Sequence, residues 1–130
     1  MNNNDQPKVT RRDFRAETAY PFWFRKLETN DGPKGDEAKW HRSYTLNLSA
    51  GGALVSSSNE NLHQGDLIEF ELVVPGGPIF GIAKVVRVVL DGQGEERYAF
   101  MFVSIAPRDK DRIAQVVLND GLEKRYDESR

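Results

Sequence analysis

Residues 66–74 carry the strongest constraint on the fold, because apolar side chains recur there at every second position. The apolar residues on one face are Ile68, Phe70, Leu72 and Val74. A period of two residues of this kind is typical of a half-buried β-strand. Residues 75–78 read Pro-Gly-Gly-Pro, and a β-branched run over residues 79–90 follows them. The pattern predicts two strands joined by a tight hairpin turn.

The other strand patterns are short and are separated by turn signals. They cover residues 18–28, 43–48, 53–56 and 98–105. Their spacing of about 10 residues is typical of an all-β sandwich or barrel. Pro21, in the first pattern, suggests an edge strand or a bulge. The Gly- and Pro-containing segment 29–40 predicts a long surface loop whose course the sequence does not fix.

The last segment has a different periodicity. Pro107 suits a first helical turn, and Ile113, Val116 and Val117 recur at helical spacing. Gly121 stands where a helix is expected to stop. The segment therefore predicts one amphipathic helix that packs against the strands, followed by a charged tail.

Composition excludes several classes of function. The 130 residues suffice for one domain, and the absence of cysteine rules out disulfides, Cys nucleophiles and iron–sulfur clusters. With only His41 and His63, a histidine-rich metal site is not expected either. The net charge of −2 predicts no bulk attraction to nucleic acid or to an anionic membrane. No apolar stretch approaches a membrane span and the N-terminus is polar, so we expect a cytoplasmic, soluble protein without membrane insertion.

No catalytic constellation is visible in the sequence. His63 lies in a polar turn with no G-x-S-x-G serine motif near it. The Gly51-Gly52 and Gly76-Gly77 pairs lack the Lys and Ser/Thr context of a P-loop. No pair of carboxylates can be assigned to acid–base roles from spacing alone. The sequence predicts that the protein is not an enzyme.

An arginine cluster near the N-terminus is the sharper feature. Residues 8–26 contain six Lys and Arg residues but only two acidic ones. Arg11, Arg12 and Arg15 form the cluster. The planar guanidinium donates two parallel hydrogen bonds to phosphate oxygens or to the O6 and N7 atoms of guanine. Taken alone, a short basic run near the N-terminus is more typical of a solvated arm.

A second polar motif lies at the end of a predicted strand. Asn47 and Ser49 are two residues apart, so their side chains share one face, with Leu48 opposite. Gly51 and Gly52 follow, where the backbone turns or lets a ligand approach. Asn47 offers an amide to a base edge and Ser49 a hydroxyl to a base or phosphate. The alternative is a strand end with a β-bulge and no ligand.

Taken together, R-x-x-x-R at Arg11 and Arg15 and N-x-S-x-x-G from Asn47 to Gly52 resemble the signature of the PilZ domain family. The resemblance spans residues 11–118. Members of this family are small bacterial β-barrels that bind the second messenger cyclic di-GMP. The resemblance implies an all-β, six-stranded antiparallel barrel with one C-terminal α-helix and a flexible N-terminal arm. It implies a tail at residues 1–10, one domain at residues 11–120 and a charged tail at residues 121–130.

The resemblance also implies roles for the two motifs. Arg11 and Arg15 are expected to clamp cyclic di-GMP from the arm, with Arg12 stacking on a base, contacting a phosphate or remaining solvated. Asn47, Ser49 and the Gly51-Gly52 pair are expected to bind the ligand on the barrel face, where Gly52 gives clearance. Ordering of the arm would then regulate an unidentified protein partner in motility, pilus, polysaccharide or gene-expression machinery.

Two alternatives to a cyclic di-GMP receptor remain open at this point. One is a PilZ adaptor that acts through protein contacts without a nucleotide, although both motifs are intact here. The other is a barrel that binds single-stranded nucleic acid, which the pI of about 5.7 disfavours. Trp23 and Trp40 are further candidates for stacking on guanine, as opposed to burial in the core or exposure on a partner surface.

Overall fold

The chain forms a small β-barrel followed by a helix. The computed structural model describes residues 16–27, 39–56 and 61–128, with side chains as far as residue 121. The strands are β1 (Pro21–Lys26), β2 (His41–Ser49), β3 (Gly52–Ser56), β4 (Leu67–Val74), β5 (Gly77–Leu90) and β6 (Glu96–Ile105), and the helix is α1 (Pro107–Glu128). The predicted six-stranded barrel with one C-terminal helix is confirmed.

Closure of the barrel leaves none of these six strands at an edge. The strand order is β1-β2-β3-β6-β5-β4, and antiparallel pairing of β1 with β4 completes the ring. The edge strand suggested by Pro21 is therefore wrong. Pro21 is the first residue of β1 and pairs with Tyr44 of β2, while pairing with β4 begins only at Phe22. A proline at a strand's first residue costs the ladder no internal hydrogen bond.

The core is the barrel interior, filled by alternate residues of each strand. In β4 the four apolar residues predicted to share a face are buried. Aromatic rings fill the centre, where the ring centroid of Phe22 lies 5.4 Å from that of Phe70 and 5.5 Å from that of Phe100. Offset aromatic stacking adds to the large apolar area that these side chains bury.

Helix α1 begins at Pro107, as predicted, and packs against the barrel through one face. Ile113 and Val117 are buried in the core cluster. The guanidinium of Arg112 donates hydrogen bonds to the carbonyl oxygens of Pro75 and Gly77, at 3.3 and 2.7 Å. The helix is therefore attached both to the core and to the turn between β4 and β5.

The predicted stop at Gly121 is wrong, because α1 continues to Glu128. Gly121 does not have the positive φ of a glycine helix cap. A glycine inside a helix costs only about 1 kcal/mol relative to alanine. The sequence that follows, Leu-Glu-Lys-Arg, consists of good helix formers, and these favour continuation of the helix.

We predict that Ile113→Ala lowers the free energy of unfolding by about 2–5 kcal/mol, because it leaves a cavity between α1 and the barrel. Urea denaturation followed by circular dichroism measures this loss. Leu118→Ala is the matched control, since Leu118 lies on the same helix but is 38% exposed. Equal losses in the two variants would contradict the packing described for α1.

Candidate functional site

The polar motif predicted on β2 lies at the hairpin that joins β2 to β3. Ser49 pairs with Gly52, so Ala50 and Gly51 form the turn between the strands. The Ser49 hydroxyl donates a hydrogen bond of 3.3 Å to the Gly52 carbonyl oxygen. The amide of Phe102 donates to the Gly51 carbonyl oxygen at 2.9 Å, which ties the turn to β6. The hairpin is thus fixed from two sides.

A β-bulge determines which side chains of β2 face outward. Thr45 pairs with Val55 and Asn47 with Leu54, so Leu46 is an extra residue in β2. Thr45 and Leu48 are both fully buried, although they are three residues apart. The bulge therefore reverses the alternation and turns Asn47 and Ser49 to the outer face. The prediction that these two side chains share a face opposite Leu48 is confirmed.

Cross-strand pairing places Asn47 in a row that crosses four strands. Asn47 pairs with Leu54, Leu54 with Ala99, and Ala99 with Arg87 of β5. At a strand spacing of about 4.8 Å, this row spans roughly 14 Å from Asn47 to Arg87. The neighbouring inner row consists of core residues, namely Leu48, Ala53, Phe100 and Val85. The outer row is therefore supported from below by a packed layer.

An open cleft of about 280 Å³ follows this outer row. Its lining includes all four motif residues that lie in the described part of the chain, which are Asn47, Ser49, Gly51 and Gly52. Small and apolar side chains from β3 and β6 form the floor, and Arg87 is the charged residue among the described lining residues. The cleft thus has a polar side on β2, an apolar floor and a cationic side on β5.

Arg87 is not among the site residues predicted from the sequence. Strict alternation from the buried residues Ala83 and Val85 assigns Arg87 to the barrel interior. A second bulge, at Val86, turns it outward instead. A charged residue at a position that alternation assigns to the core is the sequence signal that marks such a bulge.

The turn after β5 fixes the pairing of β5 with β6. The backbone amides of Glu95 and Gln93 donate to the Asp91 carboxylate, at 2.9 and 2.7 Å, and Arg97 forms an ion pair with it at 3.3 Å. These hydrogen bonds, above all that from Glu95, hold the pKa of Asp91 below its ordinary value, and the charge of Arg97 adds to the effect.

Gly52 is required by the packing of the barrel itself. A Cβ at this position would clash with the carbonyl oxygen of Phe100, because the backbones of β3 and β6 approach closely there. Gly51 differs, since a Cβ at this position would have no atom within 4 Å. The two adjacent glycines therefore have different structural roles.

The residue that follows the arginine cluster in the sequence is paired with β2, the strand that carries Asn47 and Ser49. Arg11, Arg12 and Arg15 lie outside the described residues, whereas Ala16 forms an isolated antiparallel bridge with Leu48. The two residues exchange both backbone hydrogen bonds, at 2.8 and 2.9 Å. The residue that follows Arg15 in the sequence is therefore paired with the strand that carries Asn47 and Ser49.

The segment after Ala16 connects β2 with α1. The Thr18 hydroxyl donates a hydrogen bond to the carboxylate of Asp120 on the helix. The backbone amide of Tyr20 donates to the Thr45 hydroxyl at 2.9 Å. Hydrogen bonds thus connect β2 to residues 16–20, and residues 16–20 to α1.

A second cleft, of about 400 Å³, lies between Leu27 and the end of β6. Its lining is mainly apolar and includes Phe80, Ile82 and Ile105, together with Glu69, whose carboxylate pairs with Arg25 at 2.9 Å. Although it is larger, this cleft would place a carboxylate beside a bound molecule, whereas the first would place there a guanidinium that pairs with none of the described residues. The first cleft is therefore the better site for an anion.

The two tryptophans lie outside the lining of the first cleft. The Arg42 guanidinium lies 5.7 Å from the Trp23 ring centroid, and the Arg25 guanidinium lies 4.9 Å from that of Trp40. Both are cation–π distances, the first between β2 and β1 and the second between β1 and the residue that precedes β2.

The two histidines occupy the predicted positions. His63 lies in an exposed turn, and His41 begins β2. Within residues 16–27, 39–56 and 61–121, no three acidic or histidine side chains are grouped closely enough to hold a metal ion. In the described part of the chain, no helix has both the length and the apolar character needed to cross a bilayer.

Comparison with known proteins identifies relatives of this fold. The family model for the PilZ domain matches residues 10–119. The structure of the Bacillus subtilis inhibitor of motility, MotI/DgrA, has a TM-score of 0.72 at 21% identity, over 88% of this chain and 53% of that one. The PilZ domain of YcgR from Escherichia coli, solved with c-di-GMP, has a TM-score of 0.61 at 20% identity, over 93% and 98% of the two chains.

A third structure, the K. pneumonia MrkH–c-di-GMP complex, has a TM-score of 0.65 at 23% identity, over 88% of this chain and 53% of that one. The chain therefore spans about half the length of MotI and of MrkH. A search of curated proteins gave no match. At these identities, the structural similarity shows a shared fold.

We predict that Gly52→Ala lowers the free energy of unfolding by about 1–3 kcal/mol, because the new Cβ forces β3 away from β6. Gly51→Ala is the matched control and is expected to change stability by less than about 0.5 kcal/mol. Thermal and urea denaturation of both variants measure the difference. A Gly52→Ala protein as stable as Gly51→Ala would refute the steric role of Gly52.

Proposed function

This chain belongs to the PilZ domain family, and from that premise we propose that it is a receptor for cyclic di-GMP without catalytic activity. The observation that carries the proposal is the cleft, in which Asn47, Ser49 and Gly52 of the N-x-S-x-x-G motif lie together on the outer face of the barrel. YcgR and MrkH, which share this fold, were solved with c-di-GMP.

The chemistry of the cleft suits this ligand. Cyclic di-GMP presents two guanine bases and two negatively charged phosphates. The Asn47 amide offers both a donor and an acceptor to a base edge, and the Ser49 hydroxyl keeps acceptor capacity besides its 3.3 Å bond to Gly52. The apolar floor offers a surface to the face of a base. Polar edges and an apolar floor are what a purine nucleotide requires of its binding site.

We assign the arginine motif to the same site. Ala16 is paired with Leu48 between the two ligand-facing residues of β2, and Arg15 directly precedes Ala16 in the sequence. Arg11 and Arg15 would bind guanine edges and phosphates from the side of the N-terminal segment. Charge-assisted hydrogen bonds of this type are about twice as strong as neutral ones. Arg12 would stack on a base or contact a phosphate.

The regulatory output is part of the proposal. Binding would arrange residues 8–15 over the cleft and so change the surface offered to a protein partner. Residues 16–20 contact both β2 and Asp120 of α1, which gives the change a route to the helix. The protein would act in the cytoplasm, and its signal would pass to motility, pilus, polysaccharide or transcriptional machinery.

We predict that cyclic di-GMP binds the wild-type protein saturably in isothermal titration calorimetry and that GTP does not. Arg15→Ala should weaken binding about 10- to 100-fold, because it removes hydrogen bonds to a charged ligand. Ser49→Ala should weaken it about fivefold, since one neutral hydrogen bond is lost.

Two variants outside the cleft serve as controls in that titration. Arg108→Ala removes one positive charge from the start of α1, and Ser104→Ala removes one hydroxyl from β6. Both should bind as the wild type does. A flat wild-type titration at tens of micromolar protein would overturn the receptor function and would favour an adaptor that acts through protein contacts alone.

A further inference from the structure

The outward position of Arg87 depends on a bulge in β5 that also exposes an apolar side chain. Val85 pairs with Phe100 and Arg87 with Ala99, so Val86 is an extra residue in β5. The bulge leaves the apolar Val86 38% exposed, while Val88 returns to the side of the core. Bulges are over-represented beside binding sites, where they redirect a side chain. Here the redirected side chain is Arg87, which lines the cleft.

The Arg87 guanidinium makes no hydrogen bond or ion pair with the described residues. By contrast, four other arginines of the barrel and helix contact carboxylates, carbonyl oxygens or aromatic rings, and these are Arg25, Arg42, Arg97 and Arg112. Arg87 lines the cleft, and the described residues use none of its N–H donors. The Arg87 guanidinium is therefore available to a ligand.

The floor between Arg87 and Asn47 indicates which part of a ligand lies there. Leu54 and Ala99 form the middle of the row, and Met101 lies beside them on β6. These side chains are apolar, so a phosphate would lose its hydration on them without compensation. The flat face of a base would instead gain by burying them. A base lying on this floor has one edge directed to β2 and another to β5.

We propose that Arg87 binds the O6 and N7 acceptors of a guanine base that lies on the floor of Leu54, Ala99 and Met101. The inference rests on the proposed function and extends it, because it makes Arg87 a determinant of base specificity outside the two sequence motifs. The guanidinium donates two parallel hydrogen bonds to these guanine atoms. Adenine, which carries an amino group in place of O6, offers no such pair of acceptors.

The test is calorimetric titration of wild type, Arg87→Ala and Arg87→Lys with cyclic di-GMP and with cyclic di-AMP, which has the same phosphates but different base edges. Arg87→Ala should weaken cyclic di-GMP binding about 5- to 150-fold, the range for one bidentate contact to guanine. It should weaken cyclic di-AMP binding much less, since only the long-range attraction of Arg87 to the phosphates is lost, so that the preference for guanine falls. Arg87→Lys should restore only part of the affinity, since an ammonium lacks the planar fork.

The outcomes separate this proposal from the receptor function. Arg108→Ala is the charge-matched control, and the melting temperature of Arg87→Ala should equal that of the wild type because Arg87 is exposed. If Arg87→Ala binds cyclic di-GMP as the wild type does, the role of Arg87 is refuted while the receptor function stands. A loss of about 5- to 150-fold that is equal for both dinucleotides would show a phosphate contact and overturn base reading. No binding by the wild type would overturn both proposals.

Discussion

Pairing of β1 with β4 closes the barrel, and the rest of the structure depends on this closure. Because every strand then has two neighbours, the register of each strand is fixed from both sides and the inner face has no open end along the sheet. Aromatic side chains from β1, β4 and β6 fill the interior through the rings of Phe22, Phe70 and Phe100. Polar side chains with ligand-binding chemistry therefore have to lie on the outer surface.

The cleft that we propose as the ligand site lies where the closed barrel departs from strict alternation. Bulges at Leu46 in β2 and at Val86 in β5 each reverse which residues face outward. The first presents Asn47 and the second presents Arg87, at opposite ends of one cross-strand row. Gly52, which pairs with Ser49 and Met101 beside this row, lets the backbone of β3 approach that of β6 closely. The site is thus made by irregularities in two strands that are far apart in the sequence.

The sequence predicts those parts of the fold that depend on local patterns. Alternation identified β4, and the two-residue spacing of Asn47 and Ser49 was enough to place both side chains on one face. Alternation assigned Arg87 to the barrel interior, because the bulge at Val86 arises from the matching of β5 with β6. Its one local sign is a charged residue at a position that alternation assigns to the core. The end of α1 was misplaced for a related reason, since Gly121 weakens a helix only slightly and helix-forming residues follow it. The arginine motif lies outside the described residues, so its role stays a prediction.

Nuclear magnetic resonance can map the proposed ligand site when cyclic di-GMP is titrated into the isotopically labelled protein. We expect the backbone amide resonances of Asn47, Ser49, Leu54, Arg87 and Ala99 to shift strongly. The amide resonances of residues that line the second cleft, such as Phe80 and Ile82, should not shift. Shifts concentrated at the second cleft, or absent from the row between Asn47 and Arg87, would contradict the assignment of the cleft as the ligand site.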